Sequence, residues 1–529
     1  MQGAEQVEVD RRQQSLGFAE GDTQPDDGIW CADIGNRARH GRHAAAPRWS
    51  AARVGLDCWA RHGLCARCSA EIKNQASYQQ DGRLSIDRVR DSAEKGGDMT
   101  DSPLIHPDNV DVVVIGAGPA GTTAASRLAQ AGRSVLLLES RSFPRFHVGE
   151  SLLPHTIPVL RKLGVYDRIA AQGYVTKRGA EFIAASGDYR RIPFSNSTFQ
   201  VERAHFDNTL AQFARESGAA MLEQAPAHEL VREGERVAGV QYQHGGVTRT
   251  VRARYVVDAA GRASRAAKSF GVRKANERLR KVAVFHHLKG LSEEHNPGYE
   301  GDIQVGAHED GWLWAIPIWP DTISVGAVTQ QSVLRASEPR RILTDHQARV
   351  ERISQRIQGT EQIGDIHVES DYCYYYYYSD TVAGEGWFMA GDAGCFFDPI
   401  FSGGVHLAVS TGFAAAQTID AILTDPRRTQ ELQDWYQNFY KTGYDANGRI
   451  VYGYYESAHN IAQLMLSAGL GDITDPRNRH LVEDVVQVIA GDFWAPDNEF
   501  IRLLRCKSEW DTFAPFDIVS HSQLQPVSP

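Results

Sequence analysis

The sequence predicts an α/β fold built on a Rossmann-type βαβ unit, joined by a mixed or antiparallel sheet and a helical C-terminal region. Three observations carry this. An unbroken apolar strand, 111–115 (DVVVI), runs straight into the glycine-rich turn 116–121 (GAGPAG). A second apolar strand, 134–138, ends in Glu139, 18 residues after the last of those glycines. Two later apolar segments, 256–261 (VVDAAG) and 387–393 (WFMAGDA), also stop at glycine turns. Short, continuous apolar runs closed by glycine suit strands of a parallel sheet covered on both faces.

The first unit has a direct chemical reading. Gly116, Gly118 and Gly121 let the backbone approach a pyrophosphate at a helix N-terminus, where Pro119 and Ala120 lie. The helix is expected over the following segment, TTAASRLAQAG. Glu139 is placed to accept from a ribose hydroxyl. A lone glycine motif is weak evidence, but here strand, helix and acid agree on a dinucleotide site. No second motif of this kind follows, so no separate NAD(P)H domain is evident.

Composition sets the limits. The 529 residues allow two or three domains, and 42% apolar with 23% charged content is that of a globular protein. A net charge of −10 argues against nucleic acid or an anionic membrane as the main partner. No transmembrane helix is expected, and the first residues lack the apolar core of a secretory signal. Seven cysteines without framework spacing suit a reducing, cytoplasmic setting. Residues 1–98 stand apart, rich in arginine and without periodicity. They read as a disordered extension, as a small zinc module on Cys58, Cys65 and Cys68, or as sequence upstream of a true start at Met99; the last is preferred.

The two later segments resemble the flavin monooxygenase fold related to hydroxybenzoate hydroxylase, which implies FAD. On that resemblance Asp392 binds the ribityl chain, and Arg203, in 201–207 (VERAHFD), lies by the cofactor. The alternative for Arg203 is a surface arginine at a helix start. The same resemblance divides the chain into a discontinuous FAD domain (108–168, 198–270, 380–425), a substrate domain (169–197, 275–379) and a helical region (430–529).

Four segments narrow this further: 145–154 (RFHVGESLLP), 177–180 (KRGA), 311–317 (GWLWAIP) and 397–406 (FDPIFSGGVH). In this order they resemble the flavin-dependent halogenases over roughly 108–440, most of all the bacterial members acting on phenols. The resemblance implies FADH2 from a separate flavin reductase, dioxygen, and chloride or bromide. A flavin hydroperoxide would yield hypochlorous acid, which Lys177 passes to an aromatic small molecule or a carrier-protein-tethered aryl group. It further implies that Arg145, Ser151 and Val405 touch the cofactor, that Ser402, Gly403 and Gly404 hold the halide, and that Trp312 and Trp314 shield the flavin. Tyrosines in 371–378 and aromatics after 430 remain unassigned.

The residues support these roles only in part. Consecutive amides at Ser402-Gly403-Gly404 can form an anion-binding nest, or an ordinary turn ahead of a helix. A lysine whose pKa is lowered by burial could capture hypochlorous acid, but most Lys-Arg pairs are solvated. Trp312 and Trp314 alternate as on a half-buried strand. Tryptophan halogenases carry a Glu immediately before the halide-loop serine; here it is Phe401, which suits a phenol better than free tryptophan. A general base must then come from elsewhere, with His147, His155 and His205 as candidates. A flavin hydroxylase or epoxidase, and a geranylgeranyl-type alkene reductase, remain alternatives.

Overall fold

The computed structural model describes residues 106–292, 301–369, 375–470 and 478–520. The expectations for residues 1–98, Cys58, Cys65, Cys68 and the start at Met99 lie outside the described residues, as does the tyrosine run before residue 375.

The strand Asn109–Ile115 is central in a first sheet of eight strands. It pairs in parallel with Val135–Leu138 on one side and Val247–Asp258 on the other, so that Val113 opposes both Leu136 and Val256. Val112, Val113 and Val114 are fully buried. Burial contributes about 1.5–3 kcal/mol for each such side chain, which places this run inside the sheet and not at its edge. Trp387–Met389 lies parallel to Val247–Asp258, with Met389 opposite Asp258, which in turn is opposite Ile115. The three segments that end in glycine turns therefore finish side by side. In parallel sheets that carboxyl edge is where ligands bind.

Two of the turn glycines answer to the chain's own packing. Gly116 has φ +91°, and a Cβ there would lie 2.6 Å from the Ala259 carbonyl; one on Gly121 would lie 1.8 Å from the Gly116 carbonyl. The helix begins at Pro119, inside the motif and earlier than expected, with proline at a position where its missing N–H costs nothing.

The second sheet also has eight strands. Its order is Glu361–Glu369, Arg273–Lys289, Thr322–Gln330, Gly311–Trp319, Ile303–His308, Val175–Ile183 and Tyr189–Gln200, with Tyr375–Ser379 also paired to Arg273–Lys289. All pairings are antiparallel except that of Ile303–His308 with Val175–Ile183. Tyr189–Gln200 runs through the division placed at 197/198. The strand Gly311–Trp319 is buried on both faces, not one. Trp312, Trp314 and Ile316 face a cavity, while Leu313 and Ala315 join Ile342, Leu343 and Ile353 in a separate apolar cluster.

Behind the first sheet, the helix Gly403–Thr424 packs against Pro119–Gln130 so closely that a Cβ on Gly412 would lie 2.3 Å from the Ala120 carbonyl. By length and composition alone this helix is apolar enough to cross a membrane, but 72% of its apolar window is buried within the protein. Its apolarity serves a core position. The 28-residue helix Thr429–Glu456 follows.

Candidate active site

One cavity of about 1100 Å³ is lined by residues from both sheets. Gly116, Gly118, Pro119, Ala120, Glu139, Arg145, Ser151, Arg203 and Asp392 border it, and so do Trp312, Trp314, Ser402, Gly404 and Val405. Gly121, Gly403 and Lys177 stand behind that lining.

At the glycine turn, Gly118 caps the helix and provides no side-chain hydrogen bond to the first-turn amides. Those donors are open to an anion. A Cβ on Gly118 would meet only Arg145 Nη2, at 3.7 Å, so the space above it is free. Glu139 has a second task besides the one expected. Its Oε2 accepts from the Ala117 N–H (2.9 Å) and its Oε1 from the Arg141 N–H (3.0 Å). The acid thus shapes the loop while still facing the cavity.

Arg203 opens the helix Arg203–Glu216, yet it is only 5% exposed, so it is not a surface arginine. It donates twice to Asp207 (2.8 and 3.0 Å) and to the Val148 carbonyl (2.6 Å), while Arg145 reaches the same Asp207 at 3.1 Å. Burial would push the Asp207 carboxyl up, but the two guanidiniums, Arg203 foremost, hold it below the usual range. This charge cluster fixes the segment 145–151 against the cavity.

Asp392 lies at the opposite extreme. Burial pushes its carboxyl up to about 6 against the pull of Arg262 and Arg203. The long helix supplies a ladder of tyrosines, four residues apart and so on one face. Tyr436 donates to the Met389 carbonyl (2.5 Å), Tyr440 to the Gly391 carbonyl (2.6 Å) and Tyr444 to Asp392 Oδ1 (3.4 Å). Their spacing is visible in the sequence; what they face is not. Of the tyrosine strand, Tyr377 is buried and donates to the Asp392 carbonyl, outside the cavity lining.

The indoles are fixed at their polar ends. Trp312 Nε1 donates to Tyr455 Oη (2.9 Å), which donates to Asp398 Oδ2 (2.8 Å), and Trp314 Nε1 donates to Ser324 Oγ (3.1 Å). Ser402, with φ 57° and ψ 22°, holds a left-handed conformation that costs a non-glycine residue roughly 1–3 kcal/mol. The helix after it also starts without a side-chain cap, and a Cβ on Gly404 would meet nothing within 4 Å. Phe401 turns away from the cavity to pack on Phe182 and Tyr454.

Lys177 is 1% exposed. Its Nζ donates to Ser151 Oγ (2.8 Å) and to the Leu152 carbonyl (3.1 Å). Burial lowers its pKa to about 7, against a weaker opposing pull from Asp302. That acid is engaged elsewhere, with Arg191 at 2.6 Å and the Arg178 N–H at 3.1 Å, so among the described residues it offsets only part of the cost of burying the ammonium. Lys177 therefore meets the cavity through Ser151.

The three candidate histidines are not brought together. His147 borders the cavity, His155 pairs with Gln487 and Asp492, and His205 pairs with Tyr174. A fourth, His287, went unnoticed in the sequence and lies 2.7 Å from Glu150, itself on the cavity wall. Burial works against a charge on His287, but the Glu150 carboxylate outweighs it and raises the imidazole's pKa.

The FAD binding domain family matches residues 109–439. The chain is 31% identical over 362 residues to a tryptophan 2-halogenase of Chondromyces crocatus, covering 66% of this chain and 68% of that one. It is 32% identical over 336 residues to a 1H-pyrrole-2-carbonyl (peptidyl-carrier protein) brominase of Pseudoalteromonas luteoviolacea, covering 62% and 80%. Among solved structures, the flavin-dependent brominase Bmp2 superposes with a TM-score of 0.68 at 26% identity, over 76% of this chain and 98% of that one. The myxobacterial chondrochloren halogenase CndH gives 0.64 at 28% identity, over 75% and 99%. The open cradle at Gly118, the uncapped helix start and the Arg145–Arg203 cluster fit the FAD that this family binds.

Proposed function

The chain belongs to the flavin-dependent halogenases, and from that premise we propose that it halogenates an electron-rich, phenol-like ring using chloride or bromide. Reduced FAD supplies the two electrons that let dioxygen oxidise the halide. For chloride the balance is Ar–H + Cl⁻ + O2 + FADH2 + H⁺ → Ar–Cl + FAD + 2 H2O. A separate flavin reductase delivers the reduced cofactor. The observation that carries this reading is Lys177, a buried amine tied to Ser151 on the wall of the cavity shared by Trp312, Trp314 and the Ser402–Gly404 loop.

Each residue has a task in this reading. Gly403 and Gly404 offer backbone amides to the halide without adding a cation beside the flavin, while the Ser402 N–H is spent on the Pro399 carbonyl (2.8 Å) and Ser402 only shapes the turn. Trp312 and Trp314 keep the aromatic substrate from the flavin face, so the oxidised halogen must travel to reach it. Lys177 receives it there. With a pKa of about 7 the amine is about half neutral at pH 7 and mostly neutral above it, and only the neutral form has a lone pair to accept the electrophilic halogen. The sign follows directly: product formation falls as pH drops through about 7, because the ammonium has nothing to donate to the halogen. Single-turnover halogenation with saturating reduced FAD, followed between about pH 6 and 8, checks this; a flat profile would remove the neutral amine from the mechanism.

Phe401 in place of a carboxylate supports a phenol, whose oxygen activates the ring by itself. The test is an incubation of the protein with FAD, a flavin reductase, NADH, oxygen and bromide, against phenols, a carrier-protein-tethered aryl group and free tryptophan. The expected outcome is the bromine isotope doublet on a phenolic ring. Oxygen insertion in place of bromine would make the chain a hydroxylase, and bromination of tryptophan alone would overturn the phenol assignment.

A further inference from the structure

We propose that Asn447, on the long C-terminal helix, is a side-chain ligand of the halide, donating an N–H to the anion held at Ser402–Gly404. The inference rests on the halogenase reading above. It goes further by assigning a donor from a part of the chain far from the loop.

Asn447 follows Tyr444 by three residues, so both project from one face of the helix, and both border the cavity. Asn447 is 4% exposed, and its Oδ1 has no hydrogen-bond partner among the described residues. A buried carboxamide oxygen is normally hydrogen-bonded, so this one calls for a partner in the cavity it borders. Its location explains the anomaly. A Cβ on Gly403 would lie 2.5 Å from Asn447 Oδ1, 3.0 Å from Cγ and 3.5 Å from Nδ2. The carboxamide thus occupies the space a side chain at residue 403 would need.

The two glycines of the loop then have different reasons. At Gly403 the absent side chain makes room for Asn447. At Gly404 a Cβ would meet nothing within 4 Å, leaving the space for a ligand. The helix Gly403–Thr424 starts there without a side-chain cap, so its first amides have no side-chain acceptor of their own. A half-turn of the carboxamide exchanges oxygen for nitrogen at almost no steric cost. It sets an N–H beside those amides and removes the orphaned acceptor from the loop. Asparagine adds a donor without a charge, as the neighbouring backbone amides do.

The test uses the FAD-loaded protein and bromide as the probe. The bromide dissociation constant is read from the perturbation of bound-FAD absorbance, with FAD affinity measured separately. Asn447→Asp keeps the shape but replaces the donor with a negative acceptor. Bromide should bind at least about tenfold more weakly at neutral pH, the effect of losing one hydrogen bond to a charge. Affinity should recover on acidification, because a protonated carboxyl can donate again; a merely structural role would not produce that pH dependence. Asn447→Ala should weaken bromide at every pH and serves where the Asp variant no longer holds FAD. Bromide binding within twofold of wild type in both FAD-loaded variants, or in Asn447→Ala alone where the Asp variant does not hold FAD, would overturn the role of Asn447 while leaving the halogenase reading intact. A wild-type protein that neither responds to bromide nor incorporates it would sink both.

Discussion

Lys177→Ala should give a folded, FAD-binding protein that forms almost no halogenated product. Lys177 lies behind the cavity wall and touches it only through Ser151, so the FAD cradle at Gly116–Gly121, Glu139, Arg203 and Asp392 is untouched. Two opposing terms set the stability. Removing the amine leaves Ser151 Oγ and the Leu152 carbonyl without a donor, at roughly 1–3 kcal/mol for a buried group. It also relieves the cost of burying the ammonium, which is what drives the pKa down to about 7. The net loss is small enough for the fold to survive, and Lys177→Met, closer in volume, keeps the packing if alanine does not. Product formation should fall on the order of 10²–10⁴-fold, the contribution of one positioned reactive group. Lys177→Arg should fail equally, since a guanidinium stays protonated. Mass-spectrometric product yield, read beside FAD stoichiometry, decides the matter. Near-wild-type halogenation by the alanine variant would leave Lys177 with a structural role only.

Gly118→Val should fold normally and lose FAD. Among the motif's three glycines this is the one that the fold itself does not require. Its φ of −76° and ψ of −175° are open to any residue, and a Cβ would find only Arg145 Nη2 at 3.7 Å. Gly121 contrasts with it, because a Cβ there would strike the Gly116 carbonyl at 1.8 Å and damage the fold directly. A side chain on Gly118 projects where the cofactor's pyrophosphate must approach the helix N-terminus. The variant should therefore melt cooperatively near the apo wild type while its FAD affinity falls by about two orders of magnitude or more, as expected when a side chain fills a ligand's position. Tight FAD binding by Gly118→Val would place the pyrophosphate elsewhere.

Where a role depends on residues close in the chain, local spacing was enough to read it. The turn 116–121 sets a strand, a tight bend and a helix start within a dozen residues, so its geometry follows from covalent reach and the permissive backbone of glycine. Trp312 and Trp314 share a face because a strand repeats every two residues. Gly403-Gly404 announces amides without side chains of their own, whereas the Ser402 N–H turns back to the Pro399 carbonyl. The parallel alignment of Ile115, Asp258 and Met389 follows from three similar apolar strands that each need cover on both faces.

What lies behind the cavity wall was decided only by the tertiary structure. No local pattern distinguishes Lys177 from a solvated lysine. Its burial depends on the turn of chain at Ser151–Leu152, and that burial lowers its pKa against a weaker opposing pull from Asp302. The same holds for Glu150 beside His287, for the tyrosine ladder that reaches Asp392, and for Asn447 against Gly403. Their chemistry depends on desolvation and on partners brought from distant parts of the chain. Sequence by itself determined which turns have a backbone open enough to approach a ligand, because backbone geometry is local. Packing alone decided which amine would have its pKa lowered and which carboxamide would face the loop, because the energy of a charge or an unpaired dipole is set by whatever replaces water around it.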